Sequence, residues 1–88
     1  MNIENTLNEA ISILKKCNIK NPYLDSQVLL SQTINKDKKY IILNLKENLK
    51  NEYLNSFNGL IDRRKKGEPV AYLINKKEFW KETFYIDK

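Results

Sequence analysis

Histidine is missing from the 88-residue chain, and cysteine occurs once, at Cys17. These two shortages exclude an internal disulfide, a zinc finger and a Cys/His nucleophilic pair, so no metal site is expected. Cys17 is instead expected to be a small buried apolar residue. Glycine is nearly as scarce: only Gly59 and Gly67 occur, and they leave no glycine-rich loop to cradle a cofactor phosphate. No apolar run approaches the length of a membrane span, and the opening "MNIENTLNEA" lacks the charged-then-apolar layout of a signal peptide. The chain reads as cytoplasmic, with no membrane partner.

What is present describes a folded chain of one small domain. Hydrophobic residues make up 41% and charged residues 31%, too apolar for intrinsic disorder. The net charge of +5 and the pI near 9.3 invite a nucleic-acid reading. Most of that charge, however, is lysine scattered along the chain. Abundant Lys, Asn and Ile also match the mutational bias of an AT-rich genome.

Helical spacing dominates. Ile3, Leu7, Ala10, Ile11 and Leu14 form one apolar stripe, widened by Ile13 and Cys17, which predicts a first amphipathic helix. It starts either near Asn2 or at a capping box of Thr6 and Glu9. In "NPYLDSQVLLSQTI", Asn21 suits an N-cap and Pro22 a first helical turn, with Leu24, Val28, Leu30 and Ile34 as the buried face. Asp37 can cap a short third helix through "KKYIILN", with strand as the alternative because Tyr40, Ile41, Ile42 and Leu43 are consecutive. From about Asn51, Tyr53, Leu54, Phe57, Leu60, Ile61 and Arg64 share one side of a long fourth helix, which Gly67 can end.

The basic run Arg63, Arg64, Lys65 and Lys66 falls in the last turn of that helix, where cations complement the negative end of the helix dipole. Beyond Gly67, Glu68 can cap or pair with Arg64, and Pro69 can restart a helical turn through "PVAYLI". Asn75 then tolerates a change of direction. "KKEFWKETFYIDK" predicts a β-hairpin with strands near Lys77 to Trp80 and Thr83 to Ile86. Such a hairpin needs a partner surface, so the chain is expected to be part of something longer. The expected fold class is mainly α, a small bundle of four to five helices with a C-terminal β-hairpin linker.

The stretch "RRKKGEPVAYLINKKEFWKETFYID" resembles the segment joining the two domains of the peptide chain release factor glutamine methyltransferases (HemK/PrmC). The likeness falls on Arg63, Arg64, Gly67, Glu68, Pro69, Ala71, Leu73, Glu78, Phe79, Trp80, Phe84 and Ile86. Upstream, "LDSQVLL" is similar to a family helix, with Leu24, Asp25, Leu29 and Leu30 in place. Asn75 and Lys81 stand where the family usually has glycine, and Gln27 where it usually has glutamate.

The resemblance implies a helical substrate-recognition domain over residues 1–74 and a hairpin linker over 75–88, leading toward a methyltransferase domain in cis. In the family that domain uses S-adenosylmethionine to methylate the glutamine of the Gly-Gly-Gln motif of class 1 release factors. The implied partner is therefore a release factor. The family's catalytic Asn-Pro-Pro-Tyr motif does not occur in this sequence. Asn21-Pro22-Tyr23 lacks the second proline and sits at a helix cap, so no catalytic, cofactor-binding or metal residue is assigned here. The candidates for partner binding or domain linking are Arg63, Arg64, Lys65, Lys66, Glu68, Phe79 and Trp80. The bland roles are a helix terminus for the basic run and packing of the hairpin for Phe79 and Trp80. The alternative reading is a free-standing basic helical module binding RNA or the ribosome. Nucleic acid is disfavoured because Tyr53 and Phe57 fall on the apolar stripe instead of forming an exposed stacking platform.

Overall fold

Asn2 begins the first helix. Its side-chain oxygen accepts from the Asn5 N–H at 2.8 Å and its carbonyl from the Thr6 hydroxyl at 2.7 Å, so the earlier of the two expected starts holds. The computed structural model of the chain describes residues 1–74. α1 (Ile3–Lys16) buries Ile3, Leu7, Ala10 and Leu14, and leaves Ile11 half-buried. Cys17 departs from expectation: it is exposed, because the helix stops at Lys16 and Cys17 is its C-cap, with the chain turning away at left-handed Asn18 immediately after it. The first-turn N–H groups of α1 are satisfied from a distance as well. Ile3 donates to the Glu47 carbonyl at 3.0 Å and Glu4 to that of Leu45 at 2.9 Å.

α2 (Pro22–Ile34) starts where Asn21-Pro22 predicts, but the Asn21 side chain makes no capping bond; its backbone carbonyl accepts from the Asp25 N–H at 3.0 Å. The expected buried face is only partly right. Leu30 and Ile34 are buried, Val28 is half-buried and Leu24 is exposed, while Ser26, Gln27, Leu29 and Thr33 are buried. The reason is tertiary: α2 touches α1, α4 and α3 (Lys38–Leu43), so partners cover more than one stripe. Thr33 meets its burial by donating to the Leu29 carbonyl at 2.8 Å, and Gln27 by donating to the Tyr23 hydroxyl at 3.0 Å.

α3 is a helix and not a strand. The Asp37 carboxylate caps it by accepting from the Tyr40 N–H at 2.8 Å, and within it only Ile41 is buried. The chain then returns past its own start, with Leu49 donating to the Met1 carbonyl at 3.0 Å and a single antiparallel bridge between Asn2 and Asn48. α4 (Asn51–Lys65) lies against α1 and α2, burying Phe57 and Ile61. Tyr53, Leu54, Leu60 and Arg64 on the expected face are half-buried.

After Pro69 a helical turn over 70–74 seats Leu73 in the core, its N–H bonded to the Pro69 carbonyl at 3.1 Å. The fold is thus a mainly α bundle, as expected. The expected hairpin lies outside the described residues. Among the described residues no helix is long and apolar enough to cross a membrane.

Phe57 is fully buried whereas Leu60 is not, which separates two neighbours on one face. Phe57→Ala should cost about 3–5 kcal/mol in urea denaturation, while Leu60→Ala should cost about 1 kcal/mol. Equal losses would mean that the α4 face is wrongly assigned.

Candidate functional site

Arg63, Arg64 and Lys65 close the last turn of α4, and Lys66 caps it, so four positive charges stand at the negative end of the helix dipole. Gly67 follows at φ +105°, a backbone region that L side chains rarely adopt. Its N–H donates to the Arg64 carbonyl at 3.0 Å and the Glu68 N–H to that of Arg63 at 3.2 Å. Those paired bonds are the Schellman closure, in which the residues now occupied by Arg63 and Glu68 commonly meet through an apolar contact.

Here they meet as ions. Arg63 Nε donates to Glu68 Oε2 at 3.0 Å and Nη2 to Oε1 at 2.7 Å, a two-bond fork that fixes both distance and orientation. Bonding to the Glu68 carboxylate raises the Arg63 guanidinium further above its already high ordinary value. The expected pairing of Glu68 with Arg64 is therefore corrected: the Glu68 carboxylate takes Arg63, and its backbone carbonyl takes Arg64 Nη1 at 3.0 Å.

Arg64 joins three segments. Besides the Glu68 carbonyl, its Nε donates to Asp25 Oδ2 of α2 at 2.9 Å, with the two side chains only 20% and 13% exposed. Lys65 and Lys66 reach back to Asp62 at 3.5 and 3.0 Å. The Asp62 carboxyl is held below its ordinary value, first by the bond from Lys66.

All four cations of the run thus have an acidic partner within the chain. A phosphate backbone would have to displace those partners, so the cluster is poorly suited to nucleic acid. It ties the end of α4 to α2 and to Glu68 just beyond the helix. Arg63, Arg64, Lys65, Lys66 and Glu68 are brought together; Phe79 and Trp80 lie outside the described residues. Sequence reasoning missed Asp25 as the partner of Arg64, although an acidic residue amid the apolar "LDSQVLL" was a usable signal. Among the described residues no group of three or more His, Cys, Asp or Glu side chains could hold a metal ion.

The architecture is that of a small all-α domain whose last long helix is locked by ion pairs to the chain leaving it. The chain belongs to the PrmC N-terminal domain family, whose pattern matches residues 5–74. A release factor glutamine methyltransferase of Buchnera aphidicola subsp. Schizaphis graminum is 41% identical over 80 residues, covering 91% of this chain and 28% of that protein. A second, from Buchnera aphidicola subsp. Baizongia pistaciae, is 40% identical over 86 residues, covering 98% of this chain and 31% of its own length. A bifunctional methyltransferase of Rickettsia conorii is 36% identical over 86 residues, covering 98% and 16%. The chain therefore spans less than a third of the length of these curated relatives. No solved structure gives a significant match.

Arg64→Gln should cost about 1.5–3 kcal/mol in denaturation, because it strands a shielded carboxylate at Asp25. Lys65→Gln with Lys66→Gln should lower neutral-pH stability only slightly, and by less than Arg64→Gln does, since both lysines are exposed. The sign for Asp62 follows from its lowered pKa. Its pairing helps above the ordinary carboxylate range and is lost as pH falls through the depressed value, a component that the lysine variant lacks. Gly67→Ala should cost about 1 kcal/mol through its left-handed backbone, and Gly59→Ala within α4 should gain about that much.

Proposed function

We propose that residues 1–74 form the substrate-recognition domain of an S-adenosylmethionine-dependent methyltransferase, and that 75–88 link it to a methyltransferase domain in cis. The substrate would be the glutamine of the Gly-Gly-Gln motif of a class 1 peptide chain release factor, in the cytoplasm, where translation terminates. The observation that carries this reading is the likeness of nearly the whole chain to proteins named release factor glutamine methyltransferase. The locked exit at Gly67 and Glu68 supports it physically. A domain that presents a substrate to a neighbour needs a fixed departure angle, and the Arg63 and Arg64 bonds supply one.

Among the described residues none offers S-adenosylmethionine a glycine-rich cradle. Gly59 is inside α4 and Gly67 closes a helix C-terminus, so neither opens a helix N-terminus toward a cofactor. Chemistry belongs to the partner domain, and this chain alone should neither bind the cofactor nor methylate.

The runner-up, an RNA- or ribosome-binding module, rests on the net charge of +5. Titration calorimetry of this chain against a bacterial class 1 release factor and against generic RNA, at near-physiological salt, separates the two. Release-factor binding should be detectable but weak, with a Kd at or above about 1 μM, and RNA binding should be absent. Tight RNA binding with a steep salt dependence, abolished by Lys65→Gln with Lys66→Gln while the release factor stays unbound, would promote the runner-up.

A further inference from the structure

The basic run is occupied by its own acids, but a different face of the bundle is not. A groove of about 240 Å³ opens between α1, α2 and the turn after α3, floored by Leu7, Ile11 and Leu45 and walled by Tyr23, Gln27 and Ile42. Two of its lining side chains are apolar and exposed, Tyr23 at 58% and Ile42 at 55%, and Leu43, next to Ile42 in sequence, is 70% exposed. The volume admits about one large apolar side chain.

Charge one helical turn from the groove specifies the occupant. Lys38 and Lys39 stand four residues before Ile42 and Leu43, so each lysine lies one helical turn behind an exposed apolar side chain. Neither takes part in an ion pair among the described residues. The nearby carboxylates are engaged. Glu4 in the groove wall is bonded by Lys46 at 2.7 Å, and Glu47 by the Tyr40 hydroxyl at 2.5 Å. An apolar slot with unpaired lysines beside it is complementary to a protein segment that carries a large apolar side chain between carboxylates.

From this juxtaposition we infer that the Tyr23–Ile42 groove, and not the 63–66 run, is where the bundle docks an acidic segment of its protein partner. Identifying that partner as the release factor rests on the proposed function; the location of the surface does not. Tyr23, Ile42 and Leu43 supply buried apolar area, while Lys38 and Lys39 steer the approach and make binding sensitive to salt.

The test is calorimetric titration of a class 1 release factor into the chain and into three variants: Ile42→Ser with Leu43→Ser, Lys38→Glu with Lys39→Glu, and Lys65→Gln with Lys66→Gln. Circular dichroism melts check that each is folded, which exposed positions should allow. The first two should bind at least about ten-fold more weakly, the third as the parent does. Undiminished binding by both groove variants overturns the inference and leaves the proposed function standing. Failure of the parent chain to bind removes the proposed function and this assignment with it. Two further results overturn the assignment: a dimer in sedimentation that Ile42→Ser with Leu43→Ser dissolves, or contacts between Ile42 and Trp80 in nuclear Overhauser spectra of the free chain. They would make a second copy, or the chain's own C-terminal segment, the occupant.

Discussion

The bundle depends on α2 being covered from several directions at once, by α1, α3 and α4. A helix in that position cannot keep a purely polar side, and α2 accordingly buries Ser26, Gln27 and Thr33 beside Leu29 and Leu30. Thr33 and Gln27 recover their hydrogen bonds locally, whereas the Ser26 hydroxyl has no partner among the described residues. A buried hydroxyl without a partner costs about 1–3 kcal/mol, which the surrounding apolar contacts must offset. One residue earlier, Asp25 turns the same helix into an electrostatic anchor for Arg64. Packing and ion pairing therefore converge on the first turns of α2, where α4 and the outgoing chain are also held.

Scarcity of glycine shapes the helix ends. Three described residues adopt left-handed backbone, and asparagine fills two of those places, Asn18 and Asn35, with Gly67 at the third. Asn18 closes α1 with Ile19, whose N–H reaches the Leu14 carbonyl at 3.0 Å and whose side chain packs on the core. Gly67 closes α4 with the same backbone bonds but sends out Glu68 to Arg63 in place of an apolar contact. Apolar contact is indifferent to orientation, while a two-bond guanidinium–carboxylate fork is not. The ionic version therefore sets the orientation of Glu68 against the last turn of α4, which the apolar one at Ile19 does not do for α1.

Features with local causes could be read from sequence: the Asn2 and Asp37 caps, the Pro22 start, the Gly67 stop and the apolar stripe of α1 from Ile3 to Leu14. Those that failed depend on distant neighbours. Leu24 continues a helical stripe yet faces outward, Leu60 is only half-buried, and Cys17 is the helix cap just before Asn18 turns the chain. For the candidate site, the place and sign of the 63–66 run were legible from helix-dipole reasoning, but Asp25 is remote in sequence from Arg64 and no periodicity connects them. The Asp62 pairs with Lys65 and Lys66 sit at helical spacing and were readable in principle.

Net charge and available charge separate in this fold. The densest cationic run sets four positive groups against three carboxylates, Glu68, Asp25 and Asp62, so little field escapes from it. Any partner seeking those cations must first displace bonded acids, one of them shielded behind Arg64, and gains little from exchanging one carboxylate for another. Lys38 and Lys39 owe nothing to the fold: they stand on a short helix whose own burial is limited to Ile41, beside apolar side chains left in water. Association there gives up no internal pair and removes apolar surface from solvent, so each contribution favours the bound state. Among the described residues Lys38 and Lys39, unlike the conspicuous run before Gly67, combine freedom from ion pairs with a place beside exposed apolar side chains.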